Sequence, residues 1–357
     1  MKLAKKIVDV AIVVSFFVPS LTGFASENNW HRQVPAYTEV KVDRQAAGNT
    51  LLFSDSPEMV KTCGVLYRDT VEGKVRLFFH HVNDTNSIQQ LAVVLRNKNP
   101  FRQAHVTLGR KGISRPDKDW LRAGKDAQIK FLKEATPVTF KLRGKKEILS
   151  GTTGVEFMPQ DLISGIMDFT FSKPVTVSVM MLPVNTDFYD AVDVYDILPA
   201  DEGGHVLRGT FPFDRLNITV KDVYNTDSNV IWGMKLADRN YYMKGIDATT
   251  GKKVINYGNY GVIYDLSFQT AGKNDTQVRF NPYGGEYAGA CEFGNGDETN
   301  LVHLPRHAKS FGKKNVNDTV IVGKVKGGKT GRVIFSPPGS SNLPIRIFLE
   351  SVEKENK

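Results

Sequence analysis

The chain has 357 residues, with 47 Lys and Arg against 38 Asp and Glu, giving a formal charge of +9, and it contains two cysteines. That length exceeds the usual size of one domain, so two domains are expected. No long apolar segment follows the N-terminal one, which excludes a polytopic helical membrane protein.

The N-terminus combines Lys2, Lys5 and Lys6 with an apolar stretch over 7–18 and a polar exit at Pro19. This is a secretory signal layout, and the stretch falls short of the roughly 20 residues that span a bilayer. Gly23 and Ala25 occupy the small-x-small positions of a cleavage site, predicting a signal peptide over 1–25. No cysteine stands at the cut, so a lipoprotein of the usual pattern is not expected. The mature chain is read as secreted, associated with the cell envelope and not integral to a membrane.

Beyond the cut, short segments rich in β-branched and aromatic residues alternate with Gly, Asn, Asp and Pro. They predict strands at 64–70, 75–82, 90–96, 104–108, 138–142, 167–171 and 175–182, and in the second half at 216–220, 230–236, 261–268, 276–280, 319–325, 332–335 and 345–349. Several alternate apolar and polar residues, which suits a sheet with one buried face. One helix is expected over 114–135, opened by Ser114 with Asp117 three residues on and with Pro116 in the first turn. Its apolar side holds Trp120, Leu121, Ala127, Phe131 and Leu132, and its other side is cationic. Between 183 and 207 six acidic residues occur without a Lys or Arg, which marks a boundary. The fold class is therefore mainly β, with two antiparallel β-sandwich domains, 26–184 carrying the amphipathic helix and 185–357 following it.

Charge is the strongest functional signal. From 96 to 146 there are fifteen Lys or Arg against four Asp or Glu, while the rest of the mature chain is mildly acidic. Such a field concentrates anionic partners and is screened by salt. Arg110, Lys111, Arg115, Lys118, Arg122 and Lys125 are the candidate basic patch, and an anionic wall or surface polymer is the expected partner. Nucleic acid is not expected, because the chain is exported and no aromatic-interleaved recognition motif accompanies the charge.

Sequence constellations for chemistry are weak. Cys291, His303 and His307 lack the spaced pairs of a structural zinc site, and adjacent His80 and His81 point to opposite faces of a strand. Asp187, Asp190, Asp193 and Asp196 do not have EF-hand spacing. No metal or cofactor is expected. Glu286, Glu292 and Asp297 are the acids of the alternative reading, a secreted polysaccharide hydrolase working with two carboxylates. A disulfide between Cys63 and Cys291 would close a very long loop and contribute about 4 to 5 kcal/mol by chain entropy; two reduced thiols are the other possibility. Tyr257, Tyr260, Tyr283 and Tyr287 sit in glycine-rich runs, where tyrosines stack on sugars or other flat partners or else pack within a turn framework. A surface that mediates protein contacts is the third reading.

Leu207-Arg208-Gly209-Thr210-Phe211-Pro212, the run 258–264, the run 281–289 and Ser336-Pro337-Pro338-Gly339 resemble segments of uncharacterised secreted envelope proteins of Gram-positive bacteria. Some of those carry a copper-amine-oxidase N-terminal-like module. The resemblance implies an extracellular or envelope-associated role without an assigned reaction. It does not imply amine oxidase activity, because Asn259-Tyr260 is followed by Gly261 and the His80-His81 pair is adjacent instead of spaced as His-x-His.

Overall fold

The computed structural model describes residues 32–353 except 100, 134, 152, 153, 204, 205 and 297. The predicted signal segment therefore lies outside the described residues. The fold is mainly β, with three mixed sheets of six, twelve and seven strands and two α-helices among the described residues. No helix among them is long and apolar enough to cross a membrane.

The twelve-stranded sheet is built on β1 (Thr50–Ser54), β2 (Gly64–Asn83), β3 (Gln89–Arg96), β4 (Ala104–Ile113) and, after helix α1 (Trp120–Leu132), β5 (Leu162–Pro183). The predicted strands 64–70 and 75–82 join into one long strand, and so do 167–171 and 175–182. Glu72-Gly73-Lys74 and Ser172-Lys173-Pro174 read as turn residues, yet β2 and β5 run through them and pair antiparallel along their length. Gly73 supplies a positive φ of 78° opposite Phe171, and the register shift between Phe171 and Val175 absorbs the extra residues as a bulge. Pro174, which has no N–H to give, is tolerated there. The flanking Leu77, Phe171, Val175 and Val177 all enter one buried cluster with Leu66, Val93, Val106 and Met167. That burial outweighs the local turn signals.

β1 runs parallel to β2 and antiparallel to β6 (Arg208–Phe211), and the sheet then continues through Lys244–Asp247 and Lys252–Ile255. The other two sheets share a second core. The seven-stranded sheet contains β7 (Arg215–Val220), β9 (Ile263–Ala271), β11 (Gly289–Asn295), β12 (Glu298–Leu304) and β14 (Thr330–Phe335). The six-stranded one contains β8 (Trp232–Leu236), β10 (Asp275–Asn281), β13 (Asp318–Val325) and β15 (Ile345–Val352). Ile218, Leu266 and Val333 from the first meet Val278, Val320 and Ile347 from the second.

Residues on the two sides of the predicted 184/185 division are hydrogen-bonded in all three sheets. Val42–Ala47 pairs with β7, Thr38–Glu39 with β8, Arg32–Gln33 with β13, and β1 with β6. Alternation shows which face of a strand is buried, not which strand it pairs with, so the composition shift at 183–207 does not separate the sheets. Parallel pairs, including β7 with β9, make the sheets mixed instead of purely antiparallel.

The helix is shorter than predicted. α1 starts at Trp120 because Asp119 caps it, accepting from the Arg122 N–H at 3.3 Å. Ser114 is taken elsewhere, its hydroxyl accepting from the Ser164 N–H at 2.9 Å. Gly112 and Gly124 let α1 lie against its neighbours. A Cβ at Gly112 would strike the Ala127 carbonyl, and one at Gly124 would strike the backbone of Gly339. A second helix, α2 (Phe188–Val194), lies within the acidic stretch, with Asp187 as its cap.

Candidate functional site

The six basic-patch residues are not equivalent. Arg110 reaches Glu292 at 3.2 Å, Arg122 is paired with Asp117, and the Lys125 ammonium donates to the Pro305 carbonyl at 3.0 Å. Lys111, Arg115 and Lys118 are exposed and make no ion pair among the described residues. The acidic stretch takes part of the charge as well, since Asp193 pairs with both Arg96 and Lys145. Of the four aspartates, Asp187 thus caps α2 and Asp193 neutralises two cations.

The Lys125 contact brings the cationic side of α1 against the turn after β12. There a groove of about 620 Å³ is lined by His303, Arg306, Lys324, Asn295, Asn300 and Glu298, among others. Partial burial and then the nearby Lys125, Lys133 and Arg306 charges hold the His303 imidazole below its usual range. The charges of Lys125 in α1 and Arg306 in the β12 turn therefore act on one place, although 181 positions separate them. Only Lys125 of these belongs to the predicted patch. Cys291 faces the core and pairs with Val302, one position before His303, so it cannot join His303 around an ion.

The predicted acids are held by other groups. Glu286 accepts from the Ser310 hydroxyl at 2.6 Å and lies 3.4 Å from Lys313, Glu292 faces Arg110, and Asp297 lies outside the described residues. The two thiols are unbonded. Cys63 donates to Gln89 Oε1 at 3.2 Å and packs against one core, while Cys291 is fully buried in the other, where burial pushes its thiol up.

The tyrosines divide. Tyr257 and Tyr260 line a groove of about 580 Å³ with Tyr242, Arg239, Lys244 and Asn342. Tyr283 carries the Arg346 guanidinium 3.5 Å above its ring. Tyr287 is fully buried against Phe280, with ring centroids 4.9 Å apart, so it offers no surface to a partner.

A further constellation escaped the sequence. The parallel register pairs Ser54 with Phe79, which carries Asp55 beside His80 at the end of β1. The donor atoms of Asp55, Glu58 and His80 lie within 4.8 Å of one another. Burial, then the Glu58 and Asp201 charges, raises the Asp55 carboxyl well above its ordinary range, and burial and Asp201 raise Glu58. Burial lowers His80 to about 3 and His81 to about 4. His81 points the other way, 2.9 Å from the Ser54 hydroxyl and 2.9 Å from the Pro57 carbonyl. The two histidines thus serve separate surroundings, as their adjacency implies. Nothing short-range in the sequence connects residue 55 with residue 80; only the β1–β2 pairing does.

No family model matches the chain, and no curated protein matches it. Among solved structures it is similar to a vicilin from Solanum lycopersicum (tomato), 12% identical over 86% of each chain with a TM-score of 0.16. A vicilin from Capsicum annuum is 10% identical over 86% of this chain and 87% of its own, with a TM-score of 0.15. A structure of Broad Bean Stain Virus is 12% identical over 97% and 95%, with a TM-score of 0.16. At these scores the likenesses carry no argument about fold or function.

Proposed function

We propose that this is an exported, non-catalytic binding protein that holds anionic envelope polymers at the cationic groove that β12 and β13 line beside α1. The observation that carries the reading is the Lys125–Pro305 contact, which seats α1 beside the groove that His303 and Arg306 line. Like charges crowded this way repel one another in the free protein, and a polyanion relieves that repulsion. The exposed Lys111, Arg115 and Lys118 extend the positive field beyond the groove. The hydrolase reading is weaker, because Glu286 and Glu292 are already committed to Lys313 and Arg110.

The test is a binding titration with a polyphosphate and with a polyuronate. Charge reversal at the exposed pair, Lys133→Glu with Arg306→Glu, weakens binding to either polymer at least tenfold. Reversal at exposed Lys74, in β2, leaves it unchanged. Raising salt from ~0.05 to ~0.5 M shortens the screening length severalfold and weakens wild-type binding in step. Equal affinity in the wild type and the double variant defeats the reading.

The Tyr242–Tyr257–Tyr260 groove favours a second reading, contact with a flat partner such as a sugar ring. Loss of polyuronate binding but not polyphosphate binding in Tyr257→Ala would support it.

A further inference from the structure

We infer that Asp55, Glu58 and His80 form a binding site for one divalent transition-metal ion of the zinc or manganese kind. Their donor atoms lie within 4.8 Å of one another, and an ion drawing each to about 2.0–2.2 Å needs only small side-chain movements.

Clustering alone would not carry this; the unpartnered atoms do. Asp55 is 6% exposed and its Oδ1 accepts no hydrogen bond, while His80 is 3% exposed and its Nδ1 has no partner. Buried polar atoms are nearly always satisfied, and both of these are Lewis bases. Ser340 holds the far edge of the ring, its hydroxyl 3.2 Å from Nε2, which leaves Nδ1 as the donor still to be used. Gly339 keeps that edge clear, since a Cβ there would strike Nδ1.

Nor, among the described residues, does a protein cation pair with the two carboxylates. Arg208, the buried guanidinium in the same region, is held by Asp247 at 3.0 Å and by the carbonyls of Ser56, Leu66 and Leu198. Asp201 adds negative charge and is already engaged by the Ser56 hydroxyl at 2.9 Å and the Glu58 N–H at 3.0 Å. Two carboxylates and one imidazole suit Zn²⁺ or Mn²⁺ better than Ca²⁺, which takes six to eight oxygens. Half-buried Glu58 gives the ion its approach.

The experiment uses the full mature chain stripped with EDTA. Calorimetry with Zn²⁺ and with Mn²⁺, each against excess Mg²⁺ and Ca²⁺, reads stoichiometry and affinity. Co²⁺ serves as a spectroscopic probe for the nitrogen ligand. One equivalent binds, Zn²⁺ more tightly than Mn²⁺. Asp55→Asn, His80→Gln and the half-buried Glu58→Gln each weaken binding at least tenfold with near-ultraviolet circular dichroism unchanged, and His80→Gln alters the Co²⁺ spectrum. Lys133→Glu with Arg306→Glu leaves metal affinity intact, so failure here and failure of polymer binding are separable. Absence of one-equivalent binding by both ions, displacement by Mg²⁺ or Ca²⁺, or wild-type affinity in folded Glu58→Gln and Asp55→Asn overturns the site.

Discussion

Replacing Arg208 with methionine tests how the shared sheet is held at the point where β1 meets β6. Each side chain of the Arg208–Asp247 pair is 2% exposed, and the guanidinium also donates to the Thr249 hydroxyl at 3.0 Å and to three backbone carbonyls. Burial pushes the Asp247 carboxyl up, but hydrogen bonds from Thr249 and Arg208 outweigh it and hold the group below the usual range. Removing one partner of a buried pair costs about 3–5 kcal/mol, because the other charge is left uncompensated. Against a typical total of roughly 5–15 kcal/mol, that is a large share. Asp247→Asn keeps an acceptor for the Thr249 N–H and costs less, about 1–3 kcal/mol. The double variant falls short of the sum of the two by roughly 0.5–3 kcal/mol, since the pair is lost only once. Urea unfolding read by intrinsic fluorescence gives all three values. A cost below ~1 kcal/mol for Arg208→Met, or strict additivity, refutes the argument.

Acid sensitivity follows from the two buried histidines. Unfolded imidazoles titrate near ~6.5, whereas His80 and His81 are held at about 3 and about 4, so stability falls as pH drops from ~6.5 toward 4. Each contributes about 1.4 kcal/mol per pH unit, and Asp55, raised by burial, works in the opposite direction. His81→Gln makes the acid limb of a stability-against-pH curve shallower; an unchanged limb counts against this account. Gly339→Ala drives its methyl into the His80 ring, and is expected to cost about 1–3 kcal/mol by overpacking. A melting temperature equal to wild type in a thermal scan would show that the ring yields freely.

What could be read from the sequence was the strand content and the presence of a cationic helix. Leu77, Val93 and Val177 announce buried strands by their neighbours alone. Pairing could not be read, because Gly73 and Pro174 carry turn chemistry whether they make a hairpin or a bulge. The sites depended on pairing most of all. Asp55 meets His80 through a parallel register, and Lys125 meets Pro305 through docking of α1, so neither has a local signature. Tyr287 shows the converse, a residue whose glycine-rich surroundings suggest exposure but whose ring fills the core.

The threading of 32–47 into sheets completed by residues beyond 318 has a kinetic consequence. Arg32–Gln33 must wait for Asp318 and Thr319, and Val42–Ala47 for Arg215–Val220, before their edges are satisfied. Chains dominated by such distant pairings close slowly and keep unpaired strand edges open meanwhile. A fragment ending near residue 184 would lack partners for every one of those early strands, so synthesis order and folding order run against each other in this molecule.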